Sequence, residues 1–364
     1  MAKVKKEEKT GVDKILADLE KKYGLEKSEL DTSIIVSTGS LQLNQAMGMG
    51  GTILGKMYEL FGPESAGKST VTIHQLMEYQ QKFPDKKVAL IDFENSFDKK
   101  YAINIGLDCS PNKFLIYQPN CLEDGYNMIL NLIENEIICC AVLDSQTAAA
   151  PKKIIEGEIG DATMAMQARY NSTFCLKVKG MLNKHNCSLF VVSQLRSDIG
   201  GMSQGDKPSG GNAWKFYSDA RWKIWKMNDK AAELNKTTID IVKNKLASPF
   251  GQAKINILWG KGFDTLGEII EYAIEFDFVK KGGSWFTYKD FKCQGIEKLK
   301  DYLEENSEEL LHLEQNVMLE LSGAKQQEEL AIVGEEYSDI DTSEQLNIFE
   351  PKEINNTENN ESTN

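Results

Sequence analysis

Nine residues, Gly62 to Thr70, read "GPESAGKST" and have the types and spacing to hold a triphosphate. Gly62 and Gly67 enclose four residues and are followed at once by Lys68 and Ser69. Glycine lets backbone N–H groups turn inward around phosphate oxygens, and a helix starting there adds its partial positive charge. Lys68 would reach the β- and γ-phosphates, and the Ser69 hydroxyl would ligate Mg²⁺. Gly62, Pro63, Glu64, Ser65, Ala66, Gly67, Lys68, Ser69 and Thr70 are therefore candidate nucleotide contacts. The context fits, because "YELF" precedes the loop and an apolar-periodic segment follows it. The bland alternative is a glycine turn between a strand and a helix.

Two acids stand where they could complete such a site. Asp144 ends the apolar run "IICCAVLD", where a carboxylate helps hold Mg²⁺ through its water shell or simply caps a turn. Glu94, in "VALIDFENSFD", follows another apolar strand and so points to the same end of a sheet. It reads as a base that orients and deprotonates water or as a solvated loop acid.

These residues need a scaffold, and the chain alternates strand and helix from "MYELF" onward. "VALID", "KFLIYQ", "IICCAVLD" and "SLFVVSQ" are short, apolar and rich in branched or aromatic residues, with periodic segments at 122–136 and 165–185 between them. That alternation predicts an α/β fold with a mostly parallel sheet and helices on both faces. "ARWKIWKM", "TTIDIVKNK" and "KINILW" are expected to extend it as antiparallel strands. The expected organisation is an N-terminal helical arm (1–31), an ATPase core (32–263), a small C-terminal α+β domain (264–325) and a disordered acidic tail (326–364).

The 364 residues carry a formal charge of −13, which at first argues against a polyanionic partner. From Asp301 onward, however, 18 acids face two lysines, leaving the first 300 residues at +3. A body of that charge can bind a polyanion while the tail repels or mimics one. The seven cysteines form no C-x-x-C pair, so reduced thiols in the cytoplasm are expected. No apolar run reaches the length of a bilayer span, and "MAKVKKEEKT" reads as neither a signal nor an anchor.

Six segments in order then carry a family likeness: "GPESAGKST", "IDFENSFD", "VLDSQTAAAPKKIIEGEIGD", "SQLRSDIGG", "SGGNAWKFYSDAR" and "VKNKLASPF". Together with "STGSLQLNQAMGMGG" they resemble the bacterial and bacteriophage RecA recombinases, from about Gly11 to about Leu321. The resemblance implies a RecA-like phosphate-loop ATPase in which ATP lies between subunits of a helical filament. It implies roles in DNA recombination, repair and the SOS response to DNA damage. It makes Glu94 the catalytic glutamate and sets Asp98 and Tyr101 against adenine. It sends Lys243 and Lys245 of "VKNK" to the neighbour's ATP, which suits clamping of a γ-phosphate across a seam. Gln194, closing "SLFVVSQ", would touch the γ-phosphate and move the loop that follows.

Two glycine-containing segments, 156–169 and 196–212, are too long for ordinary connections and read as functional loops or mobile surface. The resemblance places them on single-stranded DNA. Arg169, Ser172, Arg196, Gly210, Gly211 and Asn212 would meet phosphate, and Met164 and Ile199 would wedge between bases. Such contacts ignore base identity. There are departures. Leu176 stands where the family has an arginine, and the aromatic midway along the second loop is missing. Thr238 and Asp240 replace two basic residues of the second DNA site, for which Lys223 and Lys226 on the adjacent strand would compensate. Trp222 and Trp225 beside them read as packing residues.

The helix at 11–24 resembles the family's N-terminal arm, which packs on the next subunit; the alternative is a helix folded on its own domain. Gln345 to Phe349, "QLNIF", resembles the peptide by which replication proteins bind the sliding clamp. The reading reached is a DNA-dependent ATPase that filaments on single-stranded DNA and exchanges strands with homologous duplex. A hexameric motor and a non-exchanging accessory filament remain as alternatives.

Overall fold

The structure, a computed structural model, describes residues 34–158, 166–196, 207–208, 211–226 and 234–323. Its strands are β1 (Ile35–Val36), β2 (Thr52–Ile53), β3 (Met57–Gly62), β4 (Lys87–Asp92), β5 (Phe114–Tyr117), β6 (Ile138–Asp144), β7 (Ser188–Arg196) and β8 (Lys207–Pro208). They continue with β9 (Ala220–Lys226), β10 (Leu234–Asn244), β11 (Gln252–Leu258), β12 (Gly262–Phe263), β13 (Lys280–Gly282), β14 (Trp285–Tyr288) and β15 (Phe291–Gln294). The helices are α1 (Leu41–Ala46), α2 (Lys68–Lys82), α3 (Lys99–Ile105), α4 (Leu122–Glu134) and α5 (Lys152–Glu156). After them come α6 (Met166–Lys184), α7 (Ala213–Tyr217), α8 (Thr265–Glu275), α9 (Ile296–Glu305) and α10 (Ser307–Leu321). The N-terminal helix expected at 11–24 and the tail beyond Gly323 lie outside the described residues.

The main sheet runs in the order β12-β11-β10-β9-β3-β7-β6-β4-β5, with β8 paired to the end of β7. Its centre is apolar on both faces, as a parallel strand covered by helices must be: every residue of β3 and β6 is buried. Side chains alternate between two cores with the period of a strand. Val88, Leu90 and Val142 pack with Val71 and Leu76 of α2 on one face. Ala89, Ile91, Ala141 and Leu143 pack with Ile129 of α4 and Phe174 and Val178 of α6 on the other.

One expectation is corrected. β9 carries the segment "ARWKIWKM" but pairs parallel with β3; only its other neighbour, β10, is antiparallel to it. The chain passes from β7 through α7 to β9 with β3 between them in the sheet, and such a crossover returns a strand in the same direction. The antiparallel part therefore begins at β10 and continues to β11 and β12.

The chain divides into a compact unit ending at Glu268 and a second beginning at Ile269. The second holds the antiparallel sheet β13-β14-β15, with Phe286, Leu299, Leu303, Leu313 and Val317 buried. Among the described residues no helix is long and apolar enough to cross a membrane.

Candidate nucleotide-binding site

The phosphate loop joins the end of β3 to the start of α2. Gly62 cannot be anything larger, because a Cβ there would stand 1.9 Å from the Ile224 carbonyl oxygen of the sheet. Gly67 caps α2 in the left-handed region at φ 98°, where glycine carries no steric penalty. Lys68 Nζ donates to the carbonyl oxygens of Gly62 at 3.1 Å and Pro63 at 2.6 Å. Burial pushes the Lys68 ammonium below the usual lysine range, against the opposing pull of Asp144, Glu94 and Glu64.

The loop opens on a cavity of ≈ 780 Å³ lined by Glu64, Ser65 and Gly67 to Thr70. Gly62, Pro63 and Ala66 do not line it; Gly62 and Ala66 are buried in the turn. The carboxyl ends of β4, β6 and β7 supply the polar floor. Ser69 Oγ donates to Asp144 Oδ2 at 3.3 Å. Glu94 Oε1 accepts from Ser145 Oγ at 2.5 Å and from the Gln194 side-chain amide. The Asp144 carboxyl is pushed up to about 7, first by burial and then by the negative charges of Glu94 and Asp92. That surplus of negative charge beside a serine hydroxyl fits Mg²⁺. Among the described residues no cluster of three or more His, Cys, Asp or Glu could hold a metal alone. The ion would rely on phosphate oxygens and water, as Mg²⁺ in nucleotide sites does.

At the cavity's other end, Asp98 caps α3, its Oδ1 accepting from Lys100 N and Tyr101 N. Tyr101 Oη lies 2.8 Å from Thr70 Oγ1, so the aromatic ring is tied to the phosphate-loop helix. Trp259 lines the same cavity and is 70% exposed, with Lys226 Nζ 5.8 Å from its ring centroid. Sequence reasoning missed it. The available signal was an aromatic at the end of "KINILW" just before a glycine.

Lys243 and Lys245 do not line this cavity. In register Lys243 is level with Arg221, and Arg221 with Glu59. β10 runs opposite to β3, so its lysine end lies roughly 10 Å back along the sheet from Gly62 and two strands across. Lys243 Nζ donates to the Lys215 and Phe216 carbonyls at 2.7 and 3.0 Å, and Lys245 Nζ to Phe216 at 3.2 Å. Burial pushes the Lys243 ammonium down to about 8, with Lys245 and Arg221 adding repulsion.

Of the residues expected to meet DNA, Arg169 and Ser172 share an exposed face of α6 with Leu176, and Gly211 and Asn212 are exposed ahead of α7. The backbone of Arg196 pairs with Lys207 at the root of the second loop. Met164, Ile199 and Gly210 lie outside the described residues. Thr238 is fully buried. Asp240 accepts from Trp225 Nε1 and Gln252 Nε2, both at 2.7 Å.

The family model of the RecA N-terminal domain matches residues 10–264. The chain belongs to the RecA family. The RecA C-terminal domain matches residues 267–322. Protein RecA of Campylobacter hominis is 37% identical over 305 residues, covering 80% of this chain and 86% of that one. Protein RecA of Rickettsia africae is 38% identical over 304 residues, covering 80% and 87%. The solved crystal structure of the RadB recombinase aligns at a TM-score of 0.49 and 19% identity, over 63% of this chain and 98% of that one. As a RecA family member the chain is a DNA-dependent ATPase of the recombinase type.

Proposed function

We propose that the cavity takes ATP with Mg²⁺ and that subunits stack head to tail on single-stranded DNA, each completing its neighbour's site. The observation that carries this reading is the position of Lys243 and Lys245. A cation pair at the end of an inner strand, away from its own phosphate loop, serves a second molecule, and a contact of that polarity is head-to-tail. Such a contact extends as an open filament where its rotation does not close, as the RecA resemblance implies.

Within one subunit the loop N–H groups and Lys68 bind the phosphates, Ser69 and Asp144 hold the ion, and Asp98, Tyr101 and Trp259 bound the base. Bound Mg²⁺ supplies neutralisation of the charge on the β- and γ-phosphates. Glu94 orients and deprotonates the attacking water, held in place by Ser145 and Gln194. Gln194 lies on the strand that leads into the second DNA loop, so a change at the γ-phosphate biases that loop. Arg169, Arg196, Ser172, Gly210, Gly211 and Asn212 grip the strand's phosphates, with Met164 and Ile199 between bases. Lys243→Ala with Lys245→Ala tests the reading: it should abolish ATP-dependent assembly and DNA-stimulated turnover while nucleotide binding to the single subunit persists. Normal assembly of that variant rejects it.

The second DNA site is a separate matter. With Thr238 buried and Asp240 held by Trp225 and Gln252, neither meets phosphate, and capture of the displaced strand falls to the exposed Lys223 and Lys226. Strand exchange that survives loss of both lysines counts against this. The setting is the cytoplasm, in keeping with seven unpaired cysteines. Gln345 to Phe349 docks on the sliding clamp; a peptide of residues 340–353 that fails to bind purified clamp at high micromolar concentration rejects that.

A further inference from the structure

Phe250 is 80% exposed, and its φ of 73° lies in the left-handed region that disfavours any residue with a Cβ. The strain is imposed from both sides. Phe250 N donates to Ile241 O at 2.9 Å, and Ile241 N donates to Gly251 O at 2.8 Å. Gly251 is pressed against α1, where a Cβ would stand 2.0 Å from Ala46 O. Asn244 fixes the other arm, its Oδ1 accepting from Leu246 N and Ala247 N and its Nδ2 donating to Met47 O. The loop between β10 and β11 is thus pinned along its length, and it holds an apolar ring out to solvent.

That ring belongs to the lysine end of the sheet. The same segment carries Lys243 and Lys245, and Phe216, whose carbonyl both lysines bond, is itself 65% exposed. The ring therefore stands just before β11, at the end of that strand remote from Leu258 to Gly260, which line its own nucleotide cavity. The other end of β11 offers a matching surface, because Trp259, just past that strand, and Tyr101 line the open cavity. We propose that Phe250 is an interface anchor, seating on the aromatic rim of the nucleotide cavity of a second copy of this chain and covering its base end. An aromatic presented rigidly loses little freedom on docking, and such anchors carry more binding energy than their share of the interface. Backbone strain at an exposed position persists where the surrounding structure enforces it and function uses it.

This inference rests on the head-to-tail reading, and the test separates the two. Phe250→Gly removes the ring and relaxes the backbone. With the full chain on oligo-dT and ATPγS, Phe250→Gly should need about tenfold more protein to assemble. A fluorescent ATP analogue should leave its filaments several-fold faster, while release from unassembled subunits is unchanged. Thermal stability of the unassembled subunit should be equal or higher, and Phe250→Tyr should behave as the parent. A loss of thermal stability in Phe250→Gly would mean the ring serves its own fold and overturns the proposal. Parental assembly and release in Phe250→Gly, with Lys243→Ala and Lys245→Ala still defective, overturns the anchor and leaves the seam standing. Parental behaviour of both variants overturns both.

Discussion

The Gln194 side-chain amide donates to Glu94 Oε1, linking a residue near the end of β7, ahead of the loop proposed to meet DNA, to the carboxylate beside the phosphate loop. Removing the two partners should have different effects. Glu94→Gln should lower kcat by about 10²–10⁴-fold, the usual worth of a positioned base, with nucleotide binding altered far less. Gln194→Ala should keep DNA-independent turnover and lose the stimulation by single-stranded DNA. Steady-state ATPase assays with and without oligo-dT check both; equal stimulation in Gln194→Ala and the parent refutes the linkage.

Lys243 would give the proposed seam a pH dependence. Its folded pKa of about 8 lies below the unfolded lysine value, so the cation is present below that pH and lost as pH rises through it. Assembly with ATPγS should therefore weaken between pH 7 and 9. Over the interval from about 8 to the unfolded pKa the unfolded chain binds more protons, so subunit stability should rise while assembly falls. Lys243→Arg should flatten the assembly profile, as arginine keeps its charge. Light scattering and thermal melts across that range read the two opposing trends.

Glu59 and Arg221 form an ion pair at 2.5 Å with both residues buried, and Glu59 Oε1 also accepts from Ser193 Oγ at 3.0 Å. Taking away one partner strands a charge in the sheet. Arg221→Met should cost about 3–5 kcal/mol, and adding Glu59→Met should recover much of it. Denaturant melts of the two variants measure the difference; an unimproved double variant contradicts the account.

His74 is buried on α2, stacked on Phe263 at 3.8 Å, its Nε2 accepting from Phe263 N at 3.0 Å. Burial pushes its pKa down to about 3. Below the unfolded value of 6.5 the unfolded chain takes up the proton and the folded one does not, so stability falls on acidification. The slope contributed approaches about 1.4 kcal/mol per pH unit. Glu78, raised by burial, works the other way, so the comparison must be between variants. His74→Gln should melt with a shallower pH dependence from 6.5 to 5 than the parent.

What could be read from the chain follows from where each signal lives. The phosphate loop and the central strands announce themselves locally: Gly62 and Gly67 must be small, and β3 and β6 must be apolar throughout. Since β4, β6 and β7 end together in a parallel sheet, Glu94, Asp144 and Gln194 are brought together as their strand-end positions suggested. Trp259 and Phe250 were different. An aromatic at the end of a short strand looks the same whether it packs inward or stands in solvent, and only the folded backbone sets which. The direction of β9 escaped because pairing sense depends on which strands it is laid between, β3 and β10, not on the strand's own composition. The Glu59–Arg221 pair spans 162 positions, a distance over which no periodicity speaks.

The opposed placement of the phosphate loop and the Lys243 pair makes the two tips of any stack chemically unlike. In the stack proposed above, one terminal subunit would have its nucleotide pocket uncapped, and the other would display lysines and the Phe250 ring with nothing to cover. Turnover per subunit would then be a function of stack length, rising towards a plateau as the single incomplete pocket is diluted. Growth and shedding would proceed at different rates from the two tips, giving such a polymer an inherent arrow along the DNA.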